Sequence, residues 1–329
     1  MVKIILTLLV CFMITSCVEE FDLNIPEKQN KIVVDALITN EVGPYVVRLT
    51  KSKAGVLTIN SNWETDPNYS EKDYAEAITS ALVIISDNVG MVDTLIPAPL
   101  TIKSYQYNTD TITHQTDSIF VETENFQSIK YGFYNTTNIK GVAGRNYFLY
   151  IKYNKDIYTS SVTMPFVPEI DSVGIKTISN PIEGKSDISF PTVSFHEPQG
   201  QKNFYMFQLY DGKYITRSFS LWQLCIFDDS HLSEYVTNLN LTEGYNASGA
   251  NNPLPYALTG GVYVKMSSLS ETTYLFYKSL ISQFYNDGGA YSSAPSSPKG
   301  NISNGALGLF RASAVSSKSK IINNKKPIN

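Results

Sequence analysis

The sequence predicts a mainly β protein built from two β-sandwich-like units, the second carrying one packed α-helix. Three observations carry that prediction. Short runs rich in Val, Ile, Tyr and Phe recur between turn residues from Lys31 onward, which is the composition of strands. In the run 145–153 (RNYFLYIKY), Tyr147, Leu149 and Ile151 alternate with polar neighbours, the period of a half-buried strand. Only one stretch, behind Ser268-Leu269-Ser270-Glu271, repeats its apolar residues at helical spacing.

In chain order, the first unit spans 31–165. Its strands are expected at 31–39 (KIVVDALIT), 44–50, 81–86 (ALVIIS), 91–96, 118–122, 130–134 and 145–153, with 157–164 folding back as a hairpin over Asn154-Lys155-Asp156. Asp87-Asn88-Val89-Gly90 supplies turn residues after 81–86. The polar stretch 52–74, with Trp63 and Pro67, reads as an insertion loop. Two closely spaced prolines in Met164-Pro165-Phe166-Val167-Pro168 cannot sit inside a sheet, so the unit ends there.

The second unit is placed at 169–315. Strands are expected at 188–195, 203–210, 213–219, 222–227 and 262–266, with Asp211-Gly212 as a hairpin turn. Ser268 and Glu271 have capping-box spacing, which predicts a helix over 269–285 with Tyr274, Tyr277, Ile281 and Phe284 on its packed stripe. A Gly-, Ser- and Pro-rich loop follows, then a last strand at 306–314. The polar residues 316–329 are expected to form a disordered tail.

The N-terminus carries an address. Lys3 precedes the apolar run 4–14 (IILTLLVCFMI), which as a helix rises only about 16 Å, about half the hydrocarbon core of a bilayer. Residues 1–16 therefore read as a signal peptide that is removed. Ile14-Thr15-Ser16-Cys17 resembles the lipobox of bacterial lipoproteins, which implies cleavage before Cys17 and lipidation of its thiol. Acyl chains contribute about 0.8 kcal/mol per buried methylene, so two or three of them make a lasting anchor. Residues 17–30 become a polar tether, and its acids Glu19, Glu20 and Asp22 are similar to the export signals of surface lipoproteins. The expected location is the outer membrane, lipid-anchored and facing outward.

Chemistry is sparse by comparison. Once Cys11 leaves with the leader, Cys17 and Cys225 remain, so no disulfide framework exists within the chain. Lys and Arg are scattered on a mildly acidic chain of net charge −4, with no basic stripe outside the short tail 318–326, so nothing supports nucleic-acid binding. His114, His196 and His231 are the only histidines and show no metal-ligand spacing, and no cofactor motif occurs. His231 follows Asp228 and Asp229, a cluster that reads as a solvated turn in preference to a calcium loop, because the loop glycine is missing. Cys225 lies in an apolar run (LCIF) as a small buried hydrophobe. No G-x-S-x-G elbow is present. Trp63, Tyr69 and Tyr74 in the insertion are the candidate contacts for a ligand or partner, against the alternative that their rings cover a sheet edge. Strands with Lys, Asp or Asn on both faces argue against a membrane barrel.

Several segments in a fixed order (CVEEFD, IVVDALITNEVGPYVVRLTKS, ALVIISDNVG, GVAGRNYFLYIKYNKDIYTSSVTMP, PEIDSV and APSSPKGNISNGALGLFRAS) resemble the Bacteroidota lipoproteins of domain of unknown function 4249. The resemblance runs over nearly the whole mature chain and contains no catalytic motif. It implies sandwich units of the immunoglobulin or transthyretin type and an accessory role beside a TonB-dependent outer-membrane transporter. The sequence reading is thus a non-enzymatic surface lipoprotein that binds such a transporter. Its rivals are a carbohydrate-binding or adhesin lipoprotein and an extracytoplasmic hydrolase, the last requiring His196, His231 and Asp228 to meet in a cleft.

Overall fold

The computed structural model describes residues 31–52, 76–97, 132–178, 188–211, 225–241, 261–285 and 298–321, together with the backbone of 100–109 and 116–125. The leader, Cys17 and the tether lie outside the described residues, as do Trp63, Tyr69, Tyr74, His114, the expected strand 213–219 and residues 322–329. In chain order the elements are β1 (Ile32–Thr39), β2 (Val46–Lys51), β3 (Leu82–Asp87), β4 (Val92–Thr94), β5 (Ile96–Pro97), β6 (Leu100–Thr109), β7 (Thr116–Asn125), β8 (Phe133–Asn135), β9 (Asn146–Tyr153), β10 (Asp156–Thr163), β11 (Ile170–Ile178), β12 (Ile188–His196), β13 (Phe204–Asp211), β14 (Cys225–Asp228), β15 (Tyr235–Asn240), β16 (Gly261–Leu269), α1 (Glu271–Tyr285), β17 (Leu307–Ser313) and β18 (Val315–Ile321). The protein is mainly β with one helix among the described residues, as its composition dictates.

The first unit packs a sheet ordered β17-β1-β2-β8-β5 on a sheet ordered β10-β9-β3-β4. Alternation decides which side chains meet between them. Ile32, Val34, Ala36 and Ile38 of β1 point inward, as do Tyr147, Leu149 and Ile151 of β9, and all are buried in one core. The β9–β10 hairpin forms as expected, with Asp156 opposite Tyr153 and Asn154 at φ 55 in its turn, a conformation that asparagine tolerates. β6 and β7 pair only with each other among the described strands, over ten residue pairs.

The end of the chain departs from the expected domain plan. The strand expected at 306–314 as part of the second unit belongs instead to the first sheet, where β17 runs parallel to β1 from Val33 opposite Leu307 to Thr39 opposite Ser313. Phe310 and Ala312 enter the first core, while Leu309, on the opposite face, packs under α1. A strand that is apolar on both faces suits either sheet, so periodicity alone could not place it. Gly308 makes the approach possible: it sits at φ +97, and a Cβ there would lie 1.9 Å from the Val34 carbonyl oxygen. The expected disordered tail is also corrected. Residues 315–321 form β18, paired with β16 from Ser267 opposite Val315 to Gly261 opposite Ile321. Its VSSKSKI sequence lacks an apolar stripe, and the backbone ladder alone makes it a strand.

The second unit joins the sheet β14-β13-β16-β18 to the sheet β11-β12-β15. Val173, Val193, Phe195, Phe207, Cys225, Val264 and Met266 fill the core, and Cys225 is the small buried hydrophobe its run predicts. On the other face, Phe204, Met206, Tyr274 and Tyr277 form a smaller core under α1. The helix starts two residues later than expected, because β16 continues through Leu269. Its cap is Ser270, whose Oγ accepts the Thr273 N–H at 3.2 Å, rather than Ser268. The Ser268 hydroxyl instead joins the units: it donates to the Pro165 carbonyl at 2.8 Å and accepts the Ala314 N–H at 3.0 Å. Buried Arg311 lies in the same junction, with Nη1 3.4 Å from the Met206 sulfur and its guanidinium 5.6 Å from the centre of the Tyr277 ring.

Candidate functional site

The first sandwich has two unlike ends. At one, the chain enters β1 beside the base of the 53–75 insertion: the Lys31 N–H donates to Ser52 Oγ at 2.9 Å, and the Ser52 N–H donates to the Lys31 carbonyl at 2.7 Å. β1 runs away from that end, so its C-terminal loop, 40–45, lies at the other. The antiparallel partners bring three more segments there: the β3–β4 turn 88–91, the segment 136–145 between β8 and β9, and the linker 164–167.

Buried polar side chains rooted in the strands fix these loops. Asp87, 6% exposed, accepts the N–H groups of Val89 at 3.0 Å and Met91 at 2.9 Å and pairs with Arg145 at 3.0 Å. Asp93, 2% exposed, accepts the backbone N–H groups of Thr137, Asn138 and Ile139 at 2.8, 2.7 and 2.9 Å and the Thr137 hydroxyl at 2.7 Å. Burial pushes the Asp93 carboxyl up, but these bonds outweigh it and hold the group below its ordinary value. The Tyr45 hydroxyl donates to the Glu41 carbonyl at 2.6 Å and accepts the Gly141 N–H at 3.0 Å, tying loop 40–45 to loop 136–145. The Tyr147 hydroxyl accepts the Val142 N–H at 2.6 Å. Phe166 lies over Gly144, where a Cβ would stand 3.0 Å from the ring.

The tips of these braced loops are apolar. Val42 is 94% exposed, Phe166 67%, Val92 63%, Val89 59%, Met91 42% and Val142 39%. On the outward face of the second sheet, Val92 and Phe148 flank Ser86 in one register row, and Phe148 is also exposed. A group of apolar side chains held out on fixed backbone has little to offer in proton or electron transfer. It is suited to burying surface against another molecule, at little cost in ordering itself.

Elsewhere the polar groups are dispersed. His196 Nδ1 lies 3.0 Å from Asp171 Oδ2, and its ring packs on Tyr235 at 4.5 Å. Asp228 caps the turn containing His231, accepting the Ser230 N–H at 3.1 Å, and also accepts the Tyr274 hydroxyl at 3.1 Å. The hydrolase set of His196, His231 and Asp228 is therefore divided between different partners. Among the described residues, no group of three His, Cys, Asp or Glu side chains could hold a metal ion. A groove of about 210 Å³ between Pro165, Phe166, Lys202, Phe204 and Glu271 falls below the roughly 300–1,000 Å³ of small-molecule sites.

Sequence reading recognised Asp87 only as a turn residue and did not single out Asp93 or Glu197. Glu197 is 3% exposed, and its Oε1 accepts from Asn203 Nδ2 at 2.7 Å and from the Tyr205 hydroxyl at 3.0 Å. Burial pushes this carboxyl above its ordinary value. Neither acid carries a local signal, since Asp93 lies between Val92 and Thr94 and Glu197 between His196 and Pro198.

The family DUF4249, a domain of unknown function, matches residues 18–319. No curated protein matches the chain. The match covers most of the sequence, and the chain belongs to that family.

Proposed function

We propose that this family member is a non-enzymatic, lipid-anchored protein of the outer membrane that docks a partner through the braced loops, and that the partner is a TonB-dependent transporter. One observation carries the docking: exposed Val42, Val89, Met91 and Val142 stand on loops whose backbone is fixed by Asp87, Asp93, Tyr45 and Tyr147, with exposed Val92 and Phe166 beside them, at the end of the sandwich away from Lys31. Exposed apolar surface costs solubility unless it is covered, and rigid loops on a β scaffold are a common place for binding surfaces. The lipobox supports the anchor, and the acids after Cys17 support outward display. With a tether at the Lys31 end, the loops face away from the membrane, toward the extramembrane parts of a neighbour.

The reading is tested by affinity purification from solubilised outer membranes. The wild-type protein should bring down a β-barrel partner, and the double variant Val42→Asp, Val89→Asp should lose it while keeping its thermal transition. Absence of a barrel, or equal recovery with the variant, overturns the reading. Metabolic palmitate labelling that is lost in Cys17→Ala tests the anchor separately, and protease shaving of intact cells tests the outward orientation.

A further inference from the structure

Among its described residues, the end of the first sandwich where the chain enters carries a charge opposite to that of the protein as a whole. Lys31, Lys152 and Lys155 are exposed there. Lys51 pairs with Glu76, and this bond, with Tyr153 alongside, holds the Lys51 ammonium above its ordinary value. Among the described residues of this end, four lysines thus face two carboxylates, Glu76 and Asp156, on a chain of net charge −4. The same end is partly apolar. Leu82, Lys152 and Ile157 stand side by side in one register row of the second sheet, and Leu82 and Ile157 are 42% and 48% exposed. The surface therefore offers a cation between two apolar groups.

The chain that leads into this end has the complementary pattern. Residues 17–30 carry Glu19, Glu20, Asp22 and Glu27 against Lys28, and Phe21 and Leu23 alternate with the acids in Glu20-Phe21-Asp22-Leu23. Nine residue steps separate Asp22 from Lys31 and span at most about 30 Å. Two packed sheets lie only about 10 Å apart, so the acidic segment can cross from β1 to the outer face of the second sheet.

We propose that residues 19–23 dock back on this lysine-rich end, with Glu20 and Asp22 against Lys152 and Lys155 and Phe21 over Leu82 and Ile157. The docked segment shortens the link between Cys17 and the body and turns the lysine end toward the membrane and the apolar loops away from it. That consequence rests on the tether reading of residues 17–30, whereas the docking itself needs no acyl chain.

Zero-length carbodiimide cross-linking of the mature chain, read by mass spectrometry, tests the docking. Amide cross-links should join Glu20 or Asp22 to Lys152 or Lys155. They should fall at least tenfold in 1 M salt, where the screening length is about 3 Å, and in the variant Lys152→Glu, Lys155→Glu. Adding Glu20→Lys, Asp22→Lys to that variant should restore them with the charges reversed. The Cys17→Ala protein should give the same cross-links, so failure of the anchor reading stays distinct from failure of the docking. Cross-links of residues 19–22 confined to Lys28 and Lys31, or cross-links of Lys152 and Lys155 to carboxylates in 53–75, would overturn the proposal. So would protection of Lys152 and Lys155 from acylation that appears only with phosphatidylglycerol vesicles, which would make the membrane itself the occupant.

Discussion

Replacing Phe310 with alanine removes a ring that the C-terminal part of the chain contributes to the core of the N-terminal unit. Phe310 is 0% exposed and packs with Val34, Leu49, Tyr147 and Leu149 in one cluster. A phenylalanine truncated in such a core costs about 3–5 kcal/mol, a large part of the roughly 5–15 kcal/mol that holds a domain together. Native-state hydrogen exchange read by mass spectrometry locates the loss. Amides of β1, β2 and β9, about 150 to 280 positions away in sequence, should exchange roughly 10² to 10⁴ times faster if global opening controls them, since each 1.4 kcal/mol is a factor of ten. If 306–314 belonged only to the second unit, protection would fall in β13, β16 and β18 while β9 stayed as in the wild type. That outcome would refute the parallel pairing of β17 with β1.

Three further perturbations test the rest. Asp93→Ala leaves the N–H groups of Thr137, Asn138 and Ile139 without their acceptor and should destabilise by about 3 kcal/mol, visible as a lower urea midpoint. Because the folded state lowers the Asp93 pKa, its contribution is fully present above the ordinary carboxylate range and is lost as pH falls through the folded value. The stability gap between wild type and variant should therefore shrink in acid, and a gap that widened there would contradict the bracing. Glu197 has the opposite sign: burial raises its pKa, so its unfavourable contribution grows as pH rises from the ordinary carboxylate value through the raised one. Glu197→Gln should gain stability over the wild type at pH 8 compared with pH 5 in matched thermal melts, and a pH-independent difference would remove the buried-carboxyl explanation. Gly308→Ala sets a Cβ 1.9 Å from the Val34 carbonyl oxygen at φ +97 and should cost several kcal/mol, against about 1–2 kcal/mol for Gly90→Ala, where nothing lies within 4 Å of the added atom and only the positive φ is strained. Equal melting temperatures for the two variants would show that β17 is not held closely against β1.

Legibility in the sequence followed the range of the interaction. β1, β9 and the β9–β10 hairpin were readable because alternation and turn chemistry act over a few residues, and Tyr147, Leu149 and Ile151 are buried as their period requires. The destination of β17 was not readable, since its pairing with β1 spans about 270 residues and both of its faces are covered. β18 was hidden for the opposite reason: Ser-Lys alternation shows no buried face, and only the ladder to β16 reveals it. The cap moved from Ser268 to Ser270 although only Ser268 has capping-box spacing to Glu271, because β16 runs through Leu269 and leaves Ser270 as the residue before the helix. The loop site was half visible. Asp87-Asn88-Val89-Gly90 announced a turn, but that Asp93 would hold residues 137–139 depends on which strands become neighbours. Trp63, Tyr69 and Tyr74 lie outside the described residues, so the aromatic insertion stays an expectation.

β1 also links the proposed anchor, the proposed docking loops and the second unit. It begins at Lys31, where the proposed tether enters, and its eight residues span about 26 Å before ending in the loop that carries Val42. At that loop the first unit meets the second: Glu41 pairs with Lys265 at 2.8 Å, and Asn40 Oδ1 accepts the Val315 N–H at 2.7 Å. Hydrogen-bonded on one side to β2 and on the other to β17, the strand has no free edge along its paired length. A load applied between a lipid at one end and a bound partner at the other therefore runs along the strand, against many ladder bonds sharing it. The chain reaches this arrangement only because it returns, after building the second unit, to place β17 beside its first strand. Under the proposed anchoring and docking that return matters, since a sandwich with β1 at its edge would be loaded at its most easily detached strand.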